Sequence, residues 1–400
     1  MKKPLESIRL IDLTHMLSGP YAGMILADMG CDVIKVEPPK KGEGTRRLLE
    51  NDPNYSISGM STYFFTLNRN KRSICIDLKV SEGLEIFYDL VKNADVVLSN
   101  FSPGICSKLK IDHDILSNIN PRIITCSVSG FGESGPNYKR PAFDLIAQAL
   151  GGGMSITGKS KDEPMRAGIP IGDLSAGMFA VMGIQSALIA RDTTNKGQHV
   201  DISMLDCQVS MLNYMATMNL VSGLVPEPIG NAHFVHVPYN TFSTKDFPIV
   251  IAAAGDQFWS GILDVFNIDE LKTSKYDKSP ARQKDKGIIE DLLQKKLNTD
   301  ISKNWLKKLE EKKIPCSRVN NFEQALRDEQ IRYRNMIVKL QHPDGTLAEA
   351  PGNPIKLSDT HEDTFTSPPL LGQHTDEILQ EWVKLDLEEI NTLRKTDIIE

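Results

Sequence analysis

Ile8-Arg-Leu-Ile-Asp-Leu-Thr14, followed by His15-Met-Leu-Ser-Gly-Pro20 and Gly30-Cys-Asp-Val-Ile-Lys-Val-Glu37, decides the fold. The first run is continuously apolar except for Arg9 and Asp12, as a strand buried on both faces must be. Gly19-Pro20 break it and start a helix over residues 21–29. Gly30-Cys31-Asp32 turn the chain into a second buried strand at 33–37. Strand, helix, strand within about thirty residues is a βαβ unit with a parallel pair.

The same alternation continues outward. A strand is expected at 73–77, then a helix at 81–93. Ser81 is a plausible N-cap and Glu82 suits the first turn, although Leu84 stands where a capping box needs Glu or Gln. A strand at 95–99, a short helix at 105–109, a helix at 112–119 and a strand at 122–128 follow. Regular β/α alternation predicts an α/β fold with a parallel sheet covered by helices. After Gly151-Gly-Gly153 come a long apolar helix at 174–191, a strand at 199–202 and a Met-rich helix at 204–221. Its stripe of Met204, Met211, Met215 and Met218 reads as packing. Pro226, Pro228 and Gly230 mark a linker. A second, smaller α/β unit starts at Tyr239, with a strand at 248–253, charged helices through 312 and a strand near 317–319. Residues 329–365, with Pro343, Pro351 and Pro354, read as an extended connector, and 370–399 as mostly helical. The expected domains are therefore 1–221, a linker 222–238, a small domain 239–328, a linker 329–365 and a C-terminal segment 366–400.

The chain has 400 residues and a formal charge of −6. It lacks the basic footprint of a nucleic-acid binder, so nucleic acid is excluded as the main partner. Its six cysteines are scattered without a CxxC pair or zinc spacing. They read as free thiols in a reducing compartment, with no metal site. The N-terminus lacks an apolar signal core, and no stretch of about 18 apolar residues is evident. These readings predict a cytoplasmic protein with no membrane association.

Gly130-Phe-Gly132-Glu-Ser-Gly135 matches a dinucleotide fingerprint in letters only. Pro136 follows, and the next helix is not expected before about residue 142, whereas the fingerprint runs directly into its helix. It reads as a glycine-rich loop at a strand end. The turn 14–20 offers backbone N–H groups to an anion or a carbonyl oxygen, or is simply structural. His15 within it suits an acid, a base or an oxyanion donor, or a backbone hydrogen bond. Lys35, Lys40, Lys41, Arg46, Arg69, Lys71, Arg72, Lys79 and Lys108 gather positive charge at strand ends of an acidic chain. That suits a phosphate-bearing ligand, though each alone reads as a solvated charge. Asp173, in Arg166-Ala-Gly-Ile-Pro-Ile-Gly-Asp173-Leu-Ser-Ala-Gly177, opens the long apolar helix. Free N–H groups and the helix dipole there are expected to hold a carboxylate ionised. Sequence physics leaves cap and nucleophile both open.

Several runs taken together carry a resemblance. They are 12–20, 30–38, 70–77, Ala94-Asp-Val-Val-Leu-Ser-Asn-Phe-Ser-Pro-Gly104, Ser129-Gly-Phe-Gly132, Gly172-Asp-Leu-Ser-Ala-Gly177, Gly197-Gln-His-Val-Asp-Ile-Ser203 and Leu371-Gly-Gln-His-Thr-Asp376. In this order the chain resembles class III coenzyme A transferases, the family that also holds carnitine CoA-transferase and the α-methylacyl-CoA racemases. The resemblance implies a Rossmann-like large domain, a small domain on long linkers and two chains interlocked as rings in an obligate homodimer. It implies that Asp173 is a nucleophile forming an aspartyl anhydride and then an aspartyl–CoA thioester. CoA is then a substrate, with no permanently bound cofactor. CoA contacts carry over to Leu17, Ser18, Ile76, Asp77, Leu78, Lys79, Asn100, Phe101, Ser102 and Lys108, the last at a position usually Arg. Another usual Arg position holds Pro38, for which Lys40 or Lys41 can substitute. The racemases use a His-Asp pair where this chain has Phe143-Asp144. Without that imidazole, transfer is favoured over racemase or epimerase chemistry. The runs 14–21, 36–39, 334–337 and 351–357 look most like the oxalate-using branch, especially acetyl-CoA:oxalate CoA-transferases; formyl-CoA as donor, or another dicarboxylate with succinyl-CoA, are the alternatives. The glycine run of formyl-CoA:oxalate transferases is absent, and Gly230-Asn-Ala-His233 stands near its place. His15, Arg46, Arg140, Arg166 and His233 are the candidates to hold a second carboxylate.

Overall fold

The structure, a computed structural model, describes residues 3–360 and 364–400. Six strands form the main sheet: β1 (Arg9–Asp12), β2 (Asp32–Glu37), β3 (Lys71–Cys75), β4 (Val96–Ser99), β5 (Ile124–Ser129) and β6 (His199–Ser203). Their spatial order is β3-β2-β1-β4-β5-β6, and every neighbouring pair is parallel. The order reverses between β1 and β4. Loops leaving their carboxyl ends diverge there and open a crevice, the usual ligand position in such sheets.

Alternate residues of each strand feed two separate cores, which is why the strands are apolar on both faces. One core joins Ile11, Ile34, Ile74 and Val97 to Phe87 and Leu90 of the helix Ser81–Lys92 and to Trp382 and Ile390 near the C-terminus. The other joins Leu10, Val33, Leu98 and Cys126 to Leu26, Ala176, Ala180 and Ile184.

The residues divide into two compact units. One holds the main sheet and comprises the chain to Gly153, Arg166–Leu224 and Glu329–Glu400. The second takes Val225–Asp328 and also Met154–Met165. Its antiparallel strands Tyr239–Phe242, Ile249–Ala252 and Cys316–Arg318 pack on a helical core that includes Trp259, Phe266, Leu293 and Trp305.

Several local expectations are corrected. The first helix is Ser18–Asp28, so Pro20 lies inside its first turn, where a missing N–H costs nothing. Val80, not Ser81, takes the N-cap position of the next long helix, and the Ser81 hydroxyl bonds Glu82 instead. The Met-rich helix breaks at Asn213, whose φ is 49°, into Met204–Leu212 and Tyr214–Ser222. Of its methionine stripe only Met204 is buried, while Met211 and Met218 are exposed, so packing within this chain does not account for the stripe. The expected connector 329–365 carries a short helix, Glu329–Tyr333, and a hairpin, Ile337–Gln341 with Leu347–Pro351. Val338, Leu340 and Ala350 of that hairpin bury against Met60, Phe64 and Phe65. Its residues 361–363 lie outside the described residues. Finally, Ile171–Thr194 is long and apolar enough to cross a membrane by length and composition, contrary to the reading above. Here it packs its face of Ala176, Ala180 and Ile184 into the second sheet core.

Candidate active site

The turn after β1 is fixed at nearly every residue. Asp12 accepts from the Thr14 N–H at 2.8 Å, and the buried Lys35 ammonium donates to the Thr14 carbonyl at 2.8 Å. His15 N–H donates to Asn100 Oδ1 at 2.9 Å, while Asn100 Nδ2 returns a bond to the His15 carbonyl at 2.7 Å. Asn100 thus pins the loop after β4 to the turn after β1, across the reversal in strand order. Beneath the turn, Lys71 donates to Asp12 at 2.8 Å, to the Pro20 carbonyl at 2.9 Å and to Asn68 at 2.9 Å. Burial pushes the Asp12 carboxyl up, but Lys71 and Lys35 outweigh it and hold the group at about 2. Burial holds Lys71 down at about 8. His15 is also lowered, by burial first, with Glu43 opposing and Lys35 assisting.

The turn carries the start of the helix Ser18–Asp28 to the start of Ile171–Thr194. Gly177 makes this approach possible: a Cβ there would stand 2.7 Å from the Ser18 carbonyl oxygen and 3.0 Å from the Tyr21 ring.

Asp173 is the third residue of its helix, and Pro170 at the N-cap position supplies no side-chain cap. The cap comes from Asp144 instead. Its Oδ1 accepts from the Gly172 N–H at 2.7 Å and faces the Asp173 N–H at 3.4 Å. Gln148 donates to Asp144 Oδ2 at 2.7 Å and accepts from the Ala167 N–H at 2.9 Å, locking the cap in place. A Cβ on residue 172 would come within 2.9 Å of Asp144 Oδ1, so glycine is needed there. The Asp173 side chain is left outside the helix's own hydrogen bonding. Its pKa rises from 3.8 to about 6, chiefly by burial and then by the Asp144 charge, with a Ser18 hydrogen bond opposing. Burial and a like charge thus act against the helix end here and raise the carboxyl above its ordinary range, where the sequence reading expected the helix end alone to set it.

Two adjoining cavities extend from the turn. One of 350 Å³ is lined by His15, Met16, Glu37, Ile76–Lys79 and Phe101. The other, 880 Å³, is lined by Leu78, Lys79, Phe101, Ile105, Lys108 and Leu109. Leu78, Lys79, Phe101 and Leu109 belong to both, so the two join into one cleft with Lys79 at the junction and Lys108 in the larger part. Ile76 and Asp77 are held there by backbone bonds to Glu37 and Ile398.

The sequence profile described as CoA-transferase family III matches residues 5–375. The chain belongs to CoA-transferase family III. The human protein named succinyl-CoA:glutarate CoA-transferase is 33% identical over 399 residues, covering 100% of this chain and 90% of that protein. Acetyl-CoA:oxalate CoA-transferase of Acetobacter aceti is 36% identical over 366 residues, covering 90% and 92%. The crystal structure of a CaiB/BaiF family protein from Brucella suis superposes with a TM-score of 0.85 at 34% identity, covering 96% of this chain and 100% of that one.

In this family III transferase the other candidate residues are dispersed. Arg46 is engaged: it forks onto Glu37 with two bonds of 2.7 Å and donates to the Pro369 carbonyl at 3.0 Å. Arg140 is exposed and lies 5.7 Å from the Phe131 ring centre. Arg166 is exposed. His233 belongs to the second unit, where it stacks with Phe234 and His236. Leu17 and Ser18 stand at the helix start rather than along the cleft lining, Ser18 beside Asp173. Sequence reasoning missed three groups. Asp144 was read only as half of an absent pair; Gln148, one helical turn on, is its partner. Tyr63 was not singled out, yet its phenol is raised by burial and by the charges of Asp173, Glu43 and Asp144.

Proposed function

We propose that this transferase moves coenzyme A from an acyl-CoA to a dicarboxylate, with Asp173 as covalent nucleophile. One observation carries the reading: the helix end is capped by Asp144, which releases the Asp173 carboxylate from capping and leaves it bonded to Ser18. An Asp173 oxygen attacks the thioester carbonyl, and the C–S bond breaks to give an acyl–aspartyl anhydride and CoA thiolate. The thiolate then attacks the aspartyl carbonyl. This releases the donor acid as carboxylate and leaves an aspartyl–CoA thioester. The acceptor carboxylate runs the two steps in reverse, freeing Asp173 without net gain or loss of a proton. Leu17 and Ser18 open a helix, so their N–H groups have no intrahelical acceptor and suit the oxyanions formed at each attack. Partial burial of Asp173 limits hydrolysis of both intermediates.

The cleft from the turn through Ile76–Lys79 to Lys108 suits the pantetheine arm and the phosphates of CoA. The names of the two relatives specify glutarate and oxalate as acceptors, both dicarboxylates. Oxalate is the acceptor we favour on the sequence runs 14–21 and 351–357, and glutarate is its direct competitor. Arg140 and Arg166, exposed and without a carboxylate partner among the described residues, are suited to the second carboxylate.

The large unit leaves Met178, Met182, Ile189, Met211, Leu220 and Val221 exposed along successive helices. So many large apolar side chains exposed on neighbouring helices call for a partner, which supports the interlocked homodimer. Mass spectrometry of protein incubated with acyl-CoA and quenched with hydroxylamine or borohydride tests the chemistry. A mass change on Asp173 is expected, and an adduct elsewhere with Asp173 untouched overturns the mechanism. The same sample under native conditions reads the oligomer, where a monomer mass sinks the dimer. Oxalate and glutarate offered together then rank the acceptors by product; glutaryl-CoA predominating would refute the oxalate preference.

A further inference from the structure

β3 is an edge strand of the main sheet, and the C-terminal segment covers it in place of a further strand. Three outward N–H groups at alternate residues find acceptors there. Ser73 donates to His374 Nδ1 at 3.2 Å, Cys75 to Thr375 Oγ1 at 3.4 Å and Asp77 to the Ile398 carbonyl at 2.9 Å. The first two close off the strand itself, as an open edge requires. The third lies past the strand's end, where Asp77 already lines the cleft.

Residues 397–400 grip both loops of that wall at once. Ile399 pairs with Ile76 in an antiparallel bridge, and Ile398 and Ile399 bury into the first sheet core. Glu400 Oε2 accepts from the Lys40 N–H at 2.5 Å, and the Glu400 carboxylate also bonds the buried Cys75 thiol. Asp397 pairs with the Lys40 ammonium at 3.0 Å. Lys40 sits in the loop after β2, between Pro38 and Gly42 of the cleft lining. The Lys79 N–H in turn donates to Asp77 Oδ1 at 2.9 Å. The residue held from outside thus places Lys79, which stands where the two cavities meet.

We propose that residues 397–400 are a clamp that positions the cleft for acyl-CoA, holding Asp77 and Lys79 on one side and the Lys40 loop on the other. The proposal rests on the reading that CoA occupies this cleft. None of the four residues lines either cavity, so they are positioning residues that act through the wall. Their effect belongs in substrate affinity and not in the chemical step. Linkage makes it reciprocal: a clamp that tightens CoA binding is itself held more firmly when CoA is bound, by the same factor.

The test uses full-length protein and three measurements: CoA affinity by calorimetry, steady-state kinetics, and deuterium uptake by residues 396–400. Asp397→Ala/Glu400→Ala changes only exposed side chains. It should raise the Kd for CoA and the KM for acyl-CoA by about tenfold, a usual size for such coupling. The kcat and melting temperature should hold. Ile399→Asp, which unseats the whole clamp, should raise both constants further. In the wild type, saturating CoA should slow deuterium uptake by residues 396–400. Uptake unchanged by CoA overturns the proposal. So does a fall in melting temperature or kcat with KM unmoved, because that is a structural role alone. Lys79→Ala separates the clamp from the reading beneath it. If Lys79→Ala weakens CoA binding while the clamp variants bind as the wild type does, the clamp alone is wrong. If Lys79→Ala binds CoA as the wild type does, the cleft reading falls and the clamp with it.

Discussion

Replacing Asp173 by Asn should stabilise the protein while abolishing transfer. The Asp173 pKa rises from 3.8 to about 6 on folding. The folded state therefore holds that proton more tightly than the unfolded state does. The group favours folding below about pH 4 and loses that contribution as the pH rises through about 6, so above it ionised Asp173 opposes folding. A shift of about two pKa units corresponds to ~3 kcal/mol. Asn is nearly isosteric, carries no charge and still offers an oxygen to the Ser18 hydroxyl. At neutral pH Asp173→Asn should thus gain up to ~3 kcal/mol, on the order of 5 °C in Tm for a unit of this size. Near pH 4 the gap should close, since wild-type Asp173 is then protonated in the fold. Melting curves of both proteins across this range check the thermodynamics. The variant's kcat/KM should fall by about 10⁴-fold or more, as for a lost nucleophile. A Tm difference that is absent at neutral pH, or equally large at pH 4, would refute the electrostatic argument.

Asp144→Asn keeps an oxygen for the Gly172 N–H and removes the charge facing Asp173. The pKa of Asp173 should then fall, and the acid limb of the kcat/KM pH profile should move to lower pH, by less than the whole shift because burial is its larger cause. Gly177→Ala places a Cβ 2.7 Å from the Ser18 carbonyl. It should cost about 1–3 kcal/mol, as overpacking does. It should also lower kcat/KM by displacing Ser18 from Asp173; unchanged melting and activity would show that the helices part freely.

The sheet was legible because its strands are apolar on both faces: Leu10-Ile11, Val33-Ile34 and Val96-Val97-Leu98 leave no alternating polar positions. Element ends were less so, since β3 begins at Lys71, two residues before the expected start at Ser73, where Lys71 is buried by its bond to Asp12. The hairpin within 329–365 was hidden by prolines that read as connector, although Pro351 sits at a strand end. The site was legible as a set of loops and illegible as a set of pairs. Arg46 looked like a free cation because nothing in the sequence says that Glu37 folds against it. The methionine stripe shows the same limit, because sequence marks a residue as apolar without saying what covers it.

The pairing hardest to foresee is the one on which the proposed chemistry rests. Asp144 and the Gly172 N–H it caps are 28 residues apart, so local helix-start rules assign the cap to the nearest acid, Asp173. With the cap supplied from another helix, two carboxylates meet at one helix end and their roles separate. Asp144 is bound on both oxygens, by the helix N–H groups and by Gln148. Asp173 takes up the repulsion and the desolvation as a raised pKa. In the proposed reaction that shift would serve in two ways. A more basic carboxylate is a stronger nucleophile toward a thioester, and destabilising the free anion narrows the free-energy gap to the anhydride that consumes it. A carboxylate that capped its own helix would have the opposite properties, with low basicity and oxygens already engaged. Division of labour between Asp144 and Asp173 is therefore what would allow the start of an ordinary core helix to hold the proposed nucleophile.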